Sequence, residues 1–153
     1  MKSQGHQRKR LNKIDERLLV KLHTLLKKLD LTEYKRDLID TYAVGGRYVF
    51  SSKNLYEKEA ESIIKYLKSL QNENKTNRDE IVSEIMCRKI FSCFNALGWK
   101  DAQRRLDLAK VYTWINENGY LKKHLKKYTV EELPQLADQV QNLRDEYLQS
   151  INK

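Results

Sequence analysis

The residues in this chain with the clearest capacity for chemistry are lysines and arginines that occur in clusters. Residues 1–13 contain five basic side chains and no acidic one, and the segment LKKHLKKY at 121–128 adds four lysines. Lysine and arginine neutralise phosphate groups and release their counterions, which produces salt-sensitive and largely sequence-independent affinity for nucleic acid. The net charge of +9 and its uneven distribution therefore favour an anionic partner, of which nucleic acid is the commonest kind.

The predicted phosphate contacts are the residues of these clusters, an arginine after a glycine pair and two adjacent arginines on a predicted helix. They are Arg8, Lys9, Arg10, Lys13, Arg47, Arg104, Arg105, Lys122, Lys123, Lys126 and Lys127. Two other interpretations stay open. The basic N-terminal arm equally fits a disordered, solubilising tail. The lysines of the second cluster equally fit the solvated face of a helix that buries Leu121 and Leu125.

The segment YAVGGRYVFSS, residues 42–52, contains the glycine pair, Gly45 and Gly46, directly before Arg47. A glycine loop that cradles phosphate precedes a helix, so that backbone N–H groups converge on the anion. Here the pair follows a predicted helix, and at least six residues separate it from the next one. We therefore interpret the pair as a helix stop, with Arg47 as one charge on a basic surface.

Patterns typical of catalysis or metal binding are not recognisable. His6, His23 and His124 have no carboxylate or cysteine partner at the spacing of a metal site or a catalytic triad. Cys87 and Cys93 match no zinc motif and are expected to be structural thiols. No Walker loop, dinucleotide fingerprint or nucleophile elbow occurs. We predict no enzymatic activity, no metal, no cofactor and no small-molecule substrate.

The elements that position these residues are predicted to be helices. One proline and five glycines in 153 residues argue against the many turns of an all-β fold. Apolar residues at three- and four-residue steps from Leu11 to Leu29 predict a first amphipathic helix over about 12–29. Similar stripes predict a helix up to the glycine pair, helices near 54–70, 78–97 and 101–117, a short basic helix with Leu121 and Leu125 on one face, and a last helix beginning near Pro134.

Local signals predict where several helices begin and end. Three pairs have the spacing of a capping box, in which the first residue and the third one after it bond each other's backbone N–H groups. They are Asn54 with Glu57, Asn77 with Glu80, and Thr129 with Glu132. Gly98 is expected to end the preceding helix in a positive-φ conformation.

The two halves of the sequence resemble each other. LHTLLKKLDL at 22–31 aligns with IFSCFNALGW at 90–99, and SKNLYEKEAESIIKYLKSL aligns with TVEELPQLADQVQNLRDEY further along. We predict an all-α domain of two pseudo-repeated three-helix units, at 12–70 and 79–151, with a basic arm at 1–11 and a polar linker at 71–78. Since a unit of about 60 residues has a marginal core, we expect Phe91, Phe94, Trp99 and Trp114 near the contact between units.

The order of short motifs carries a family resemblance. Leu29-Asp30-Leu31, Tyr34-Lys35, Gly45-Gly46, Ser52 and Glu59-Ala60 follow one another. In this order the chain resembles the phage Mu GemA-type regulatory proteins, over about residues 12–148. The segment YTVEELPQLADQVQNL is similar to the family's closing helix, whereas ENGYLKKHLKK stands where the family has Arg-Gln-Thr-Gly.

The resemblance implies a non-enzymatic phage or prophage regulatory protein, which binds DNA or a host DNA-handling protein and so modulates host gene expression. The alternative is a helical adaptor that binds another protein and makes no contact with nucleic acid. No apolar run approaches the roughly 20 residues of a membrane span, and the basic first residues lack the apolar segment of a signal peptide. We therefore expect no membrane partner and a location in the host cytoplasm.

Overall fold

The computed structural model describes residues 12–43, 51–72 and 77–151, and these residues form six α-helices. The helices are α1 (Glu16–Lys28), α2 (Lys35–Tyr42), α3 (Glu57–Asn72), α4 (Arg78–Ala96), α5 (Leu108–Asn118) and α6 (Leu133–Ile151), with short 3-10 turns at Thr32–Tyr34, Ser52–Asn54 and Leu125–Lys127. The only β pairing in the described part of the chain is two isolated bridges. The prediction of an all-α fold is confirmed for these residues.

Helices α1 and α3 start side by side. The Ile14 N–H donates to the Leu55 carbonyl at 2.8 Å, and the Glu57 N–H donates to the Asn12 carbonyl at 2.7 Å. Asp15 caps α1 by accepting the Leu18 N–H at 2.8 Å. The leucine face of α1 packs on the isoleucine and leucine face of α3 in one hydrophobic cluster. The two helices therefore begin close together and bury their apolar faces in one cluster.

Helix α4 contributes to two hydrophobic clusters. Ile81 and Ile85 belong to the cluster of α1, α2 and α3, whereas Met86 and Phe94 belong to a second cluster with α5 and α6. Helix α4 packs against α2 and against α6. It buries apolar residues around much of its circumference, which is typical of a helix at the centre of a helical domain.

The aromatic residues expected at the contact between halves lie elsewhere. The rings of Trp99 and Trp114 pack on Phe94, with centroids 4.7 and 5.6 Å away, and Phe91 packs on Tyr112 at 6.5 Å. All of them belong to the second hydrophobic cluster or pack against it. They therefore build the core of α4, α5 and α6.

Two of the predicted helix signals are confirmed. Thr129 and Glu132 form the reciprocal capping box before α6, with the Thr129 N–H donating to Glu132 Oε1 at 2.9 Å and the Glu132 N–H to Thr129 Oγ1 at 3.3 Å. Gly98 has a φ of 78° after the end of α4. Asn77 is the N-cap of α4 as predicted, but its side chain accepts from the Asp79 N–H at 3.0 Å and not from Glu80.

The capping box predicted for Asn54 and Glu57 is wrong. Asn54 is the last residue of a 3-10 turn, and α3 begins only at Glu57. The carboxylate that bonds the start of α3 belongs to Glu59, which accepts the Tyr56 N–H at 2.7 Å. The cap is displaced by two residues because residues 55–57 are held in the backbone pairing with the segment before α1.

The helix predicted for 101–117 begins only at Leu108, seven residues later than predicted. The short basic helix predicted around Leu121 and Leu125 is also wrong. Asp101 Oδ1 accepts the N–H groups of Gln103 and Arg105, which stabilises a turn, and Asp107 is the N-cap of α5. Short polar side chains of this kind compete with helix formation. In the second segment only the 3-10 turn Leu125–Lys127 is helical, and Leu121 is 38% exposed while Leu125 is buried.

A buried lysine joins α4 to α2. The Lys89 side chain is 4% exposed, and its Nζ lies 2.8 Å from Asp37 Oδ1 and 3.6 Å from Asp40 Oδ2. The Ser92 hydroxyl donates to the Thr41 carbonyl at 2.9 Å beside them. A buried cation persists only where anions and hydrogen bonds compensate it. These contacts therefore determine how α2 lies on α4.

We expect Lys89→Met to lower the free energy of unfolding by about 3–5 kcal/mol, because it leaves Asp37 and Asp40 without their shared cation. Adding Asp37→Asn and Asp40→Asn to that variant should recover part of the loss. Urea unfolding followed by circular dichroism measures both, with Lys58→Met on exposed α3 surface as the control. A loss below about 1 kcal/mol, typical of an exposed pair, would contradict the prediction.

A second prediction concerns Asp40, because burial raises its pKa in spite of the opposing charges of Lys89, Arg36 and Arg144. The folded chain then holds this proton more tightly than the unfolded chain. The resulting stabilisation is present below the unfolded-state pKa, near 3.8, and is lost as the pH rises through the folded-state pKa.

The variant Asp40→Asn is neutral at every pH, so this loss is absent from it. Its unfolding free energy relative to the parent protein should therefore be more favourable at about pH 7 than at about pH 3. Asp138→Asn, on the exposed side of α6, makes the same change of charge at the surface and serves as the control. An equal difference at both pH values would show that Asp40 does not titrate as described.

Candidate nucleic-acid interface

A basic groove lies between α1 and α3 on the outer side of their packed faces. Its volume is about 580 Å³, and Leu18 and Ile64 form an apolar floor. Lys21 lines the groove from α1, and Lys65, Lys68 and the acidic Glu61 line it from α3. We call Arg17, Lys21, Lys65 and Lys68 the groove cations. Three of them line the groove and the fourth, Arg17, acts on Lys21 through its charge.

The helical repeat explains why these cations meet. Leu18, Leu22 and Leu25 of α1 point toward α3, and Arg17 and Lys21 lie at the margin of that face. On α3 the buried residues include Ile63, Ile64 and Leu67, and the exposed Lys65 and Lys68 flank them. The two margins meet at the groove, where Lys21 and Lys68 interact.

The groove cations are close enough to affect one another. The pKa of Lys21 is lowered, first by hydrogen bonding with the Lys68 amine, then by the charge of Lys68, by desolvation and by the charge of Arg17. Within the described ranges, none of the groove cations forms an ion pair with a carboxylate. Like charges held together without an ion-pair partner attract an anion, and lysine commonly binds phosphate oxygens in proteins.

Of the four lysines predicted as a cluster at 121–128, one forms an ion pair and three do not form one with any described residue. Lys123 Nζ lies 2.8 Å from Glu132 Oε1 and 5.2 Å from the centre of the Tyr128 ring. This contact is the largest cause of a lowered pKa of Glu132. Lys122, Lys126 and Lys127 are exposed, and among the residues that the structure describes they have no ion pair. Three of the four lysines are therefore open to a partner.

The remaining predicted contacts are scattered. Lys13 is exposed beside the start of α1. Arg104 and Arg105 are exposed in the turn before α5, and Arg105 Nε lies 3.9 Å from Asp101 Oδ2. Arg8, Lys9, Arg10 and Arg47, together with the glycine pair, lie outside the described residues. Sequence reasoning grouped these cations by their position in the chain.

The groove itself was missed by sequence reasoning. Lys21 and Lys68 belong to different helices, and their proximity depends on the packing of α1 on α3. A signal was present, because basic residues flank the apolar stripe of each helix. Such residues are common on solvated helix faces, so this signal does not by itself distinguish a site.

His23, Cys87 and Cys93 are engaged or buried in the fold. His23 Nε2 lies 3.0 Å from Ser52 Oγ, and desolvation followed by the charge of Lys35 lowers the pKa of this histidine. Burial raises the pKa of both Cys87 and Cys93, which keeps them in the thiol form. Across residues 12–43, 51–72 and 77–151 no three histidine, cysteine or acidic side chains are grouped as metal ligands.

No family model matches the chain, and neither a curated protein nor a solved structure is significantly similar to it. In the part of the chain that the structure describes, no helix has the length and apolarity needed to cross a membrane.

We expect Lys68→Met to raise the pKa of Lys21, because Lys68 is the largest cause of its lowering. The pKa of the Lys21 amine is measured by NMR as a function of pH. Lys58→Met, an exposed position on the same helix, is the matched control. A Lys21 pKa that responds equally to both variants, or to neither, would show that Lys21 and Lys68 do not interact.

Proposed function

We propose that this protein binds nucleic acid, most directly duplex DNA, through phosphate contacts and without enzymatic activity. The observation that carries the proposal is the set of groove cations, which lie together without carboxylate partners among the described residues. A phosphate placed between Lys21 and Lys68 relieves their repulsion and accepts hydrogen bonds from both amines. The excess of 30 basic over 21 acidic residues supplies long-range attraction toward such a partner.

The exposed lysines at 122, 126 and 127 are proposed as a second phosphate-binding surface. They follow α5, and the 3-10 turn that carries Lys126 and Lys127 packs on that helix. Lys13 and Arg104 are further exposed cations that extend the basic surface. Contacts of this kind bind the phosphate backbone and do not distinguish one base sequence from another.

A protein partner is the second candidate, and the apolar floor of the same groove favours it. Leu18 and Ile64 between lysines match an amphipathic helix with acidic residues on either side of an apolar stripe. This is the adaptor function that the sequence left open. A nucleic-acid partner binds the groove through its phosphate groups, whereas a protein partner binds it without phosphate.

The family resemblance suggests the biological setting. A GemA-type regulatory protein of a phage or prophage would act in the host cytoplasm, on DNA or on a host DNA-handling protein. The pseudo-repeat is part of the same proposal. Its support is that the first and third helices of each half pack together, α1 with α3 and α4 with α6, and that each half has a hydrophobic cluster.

The test is binding of random-sequence duplex DNA across a salt series, measured by fluorescence anisotropy. For the parent protein we expect the logarithm of the association constant to fall linearly with the logarithm of the salt concentration. The double variant Lys21→Ala/Lys68→Ala should reduce the steepness of that line by about 1.8, at about 0.9 per phosphate contact.

The matched control is Lys27→Ala/Lys53→Ala, which removes the same charge from exposed positions outside the groove. A line as shallow in the control as in the groove variant would mean that only net charge matters. Absence of DNA binding at low salt would overturn the proposal and leave the protein partner as the function of the groove.

A further inference from the structure

A second cavity, unrelated to the basic groove, lies between α2, α4 and α6. Its volume is about 330 Å³. Asp40 lines it from α2 and Arg144 from α6, Ser92 and Asn95 add polar groups from α4, and Ala96 and Leu148 contribute apolar surface. The buried pair of Lys89 with Asp37 adjoins it through Asp40. This volume is near the lower limit of the roughly 300–1,000 Å³ of ligand pockets, so a ligand there must be small.

Asp40 presents an unsatisfied acceptor in this wall. Its side chain is 7% exposed, and its Oδ2 accepts no hydrogen bond within the described residues. Lys89 Nζ lies 3.6 Å from this atom, beyond hydrogen-bonding distance, and Arg36 Nε lies 3.5 Å from the other oxygen. A buried oxygen without a donor costs free energy, which a ligand N–H group would recover.

Arg144 presents unused donors in the same wall. Its side chain is 8% exposed, and both of its hydrogen bonds within the described chain, from Nε at 3.1 Å and Nη2 at 3.0 Å, go to Asp145 Oδ1. A guanidinium has five N–H groups in a planar fork suited to a carboxylate. The cavity therefore contains one buried anion that lacks a donor and one buried cation with donors to spare.

We propose that this cavity binds a small zwitterion of the size of an α-amino acid. The ligand's ammonium group donates to Asp40 Oδ2, its carboxylate accepts from the Arg144 guanidinium, and its side chain lies against Ala96 and Leu148. Opposite charges on the ligand match opposite charges in the wall, so binding leaves no new unpaired charge. A ligand of this class was not predicted by any sequence pattern.

The ligand would bridge α2 to α4 and α6. A molecule that binds only the folded chain stabilises it in proportion to the logarithm of ligand concentration over the dissociation constant. Asp40→Asn removes the carboxylate that would pair with the ligand, while Lys89 keeps Asp37 at 2.8 Å. This variant therefore tests the ligand contact without leaving the lysine unpaired.

The experiment titrates the full chain with glycine, L-alanine and L-leucine to about 10 mM, followed by NMR chemical shifts of the backbone amides. We expect at least one of the three to bind saturably, with shifts at α2, α4 and α6. For L-leucine the analogues isopentylamine and 4-methylpentanoate each lack one charged group. For whichever amino acid binds, the corresponding amine and acid should each bind at least tenfold more weakly.

Two variants and one control locate the site. Ala96→Leu fills the cavity without touching an ion pair and should abolish binding, whereas Ala109→Leu, on the exposed side of α5, should leave binding unchanged. Asp40→Asn should weaken binding at least tenfold. The proposal is overturned if none of the three amino acids binds saturably, if the single-charge analogues bind equally well, or if Ala96→Leu binds like the parent.

Discussion

The arrangement of the helices depends on one buried charge, the ammonium group of Lys89. Helix α4 lies at the centre of the described fold and buries apolar residues toward two clusters, so a lysine on it enters the core. Its charge is tolerable there only beside carboxylates, and α2 provides Asp37 and Asp40 at a spacing that places both on one helical face. A purely apolar contact would allow α2 to slide or rotate on α4. Charged partners at defined distances allow far fewer positions, which is the attested use of buried polar groups in selecting one packing.

The groove cations take no part in the ion pairs of the described residues. Several acidic residues are engaged in such pairs: Asp37 and Asp40 with the buried Lys89, and at more exposed positions Asp145 with Arg144, Glu132 with Lys123 and Glu33 with Arg78. Lys21, Lys65 and Lys68 form no ion pair among the described residues although Glu61 lines the same groove, and the charge of Lys68 lowers the pKa of Lys21.

Sequence patterns predicted the long helices and failed where polar side chains redirect the backbone. Helices α1, α3, α4 and α6 carry apolar stripes that need no tertiary information, and the Thr129–Glu132 box is local. The turn at 101–107 instead depends on Asp101 accepting two backbone N–H groups and on Arg104 adopting a φ of 64°, a conformation that non-glycine residues rarely adopt. The groove and the cavity each unite residues far apart in the chain, Lys21 with Lys68 and Asp40 with Arg144, so only the packed structure brings them together.

Charged side chains have three different roles in this fold, and the burial of each determines its role. Lys89 is enclosed and already paired, so it contributes to the fold and is not available to an external anion. Lys21 and Lys68 repel each other in a solvated groove, where water and salt weaken the repulsion enough for the fold to tolerate it and a phosphate can still relieve it. Asp40 and Arg144 lie between these extremes, because they are nearly buried yet line a cavity. Burial strengthens each interaction available to them, so a small ligand of matching charge gains more there than on the open surface. It follows that salt should weaken binding in the groove far more than binding in the cavity.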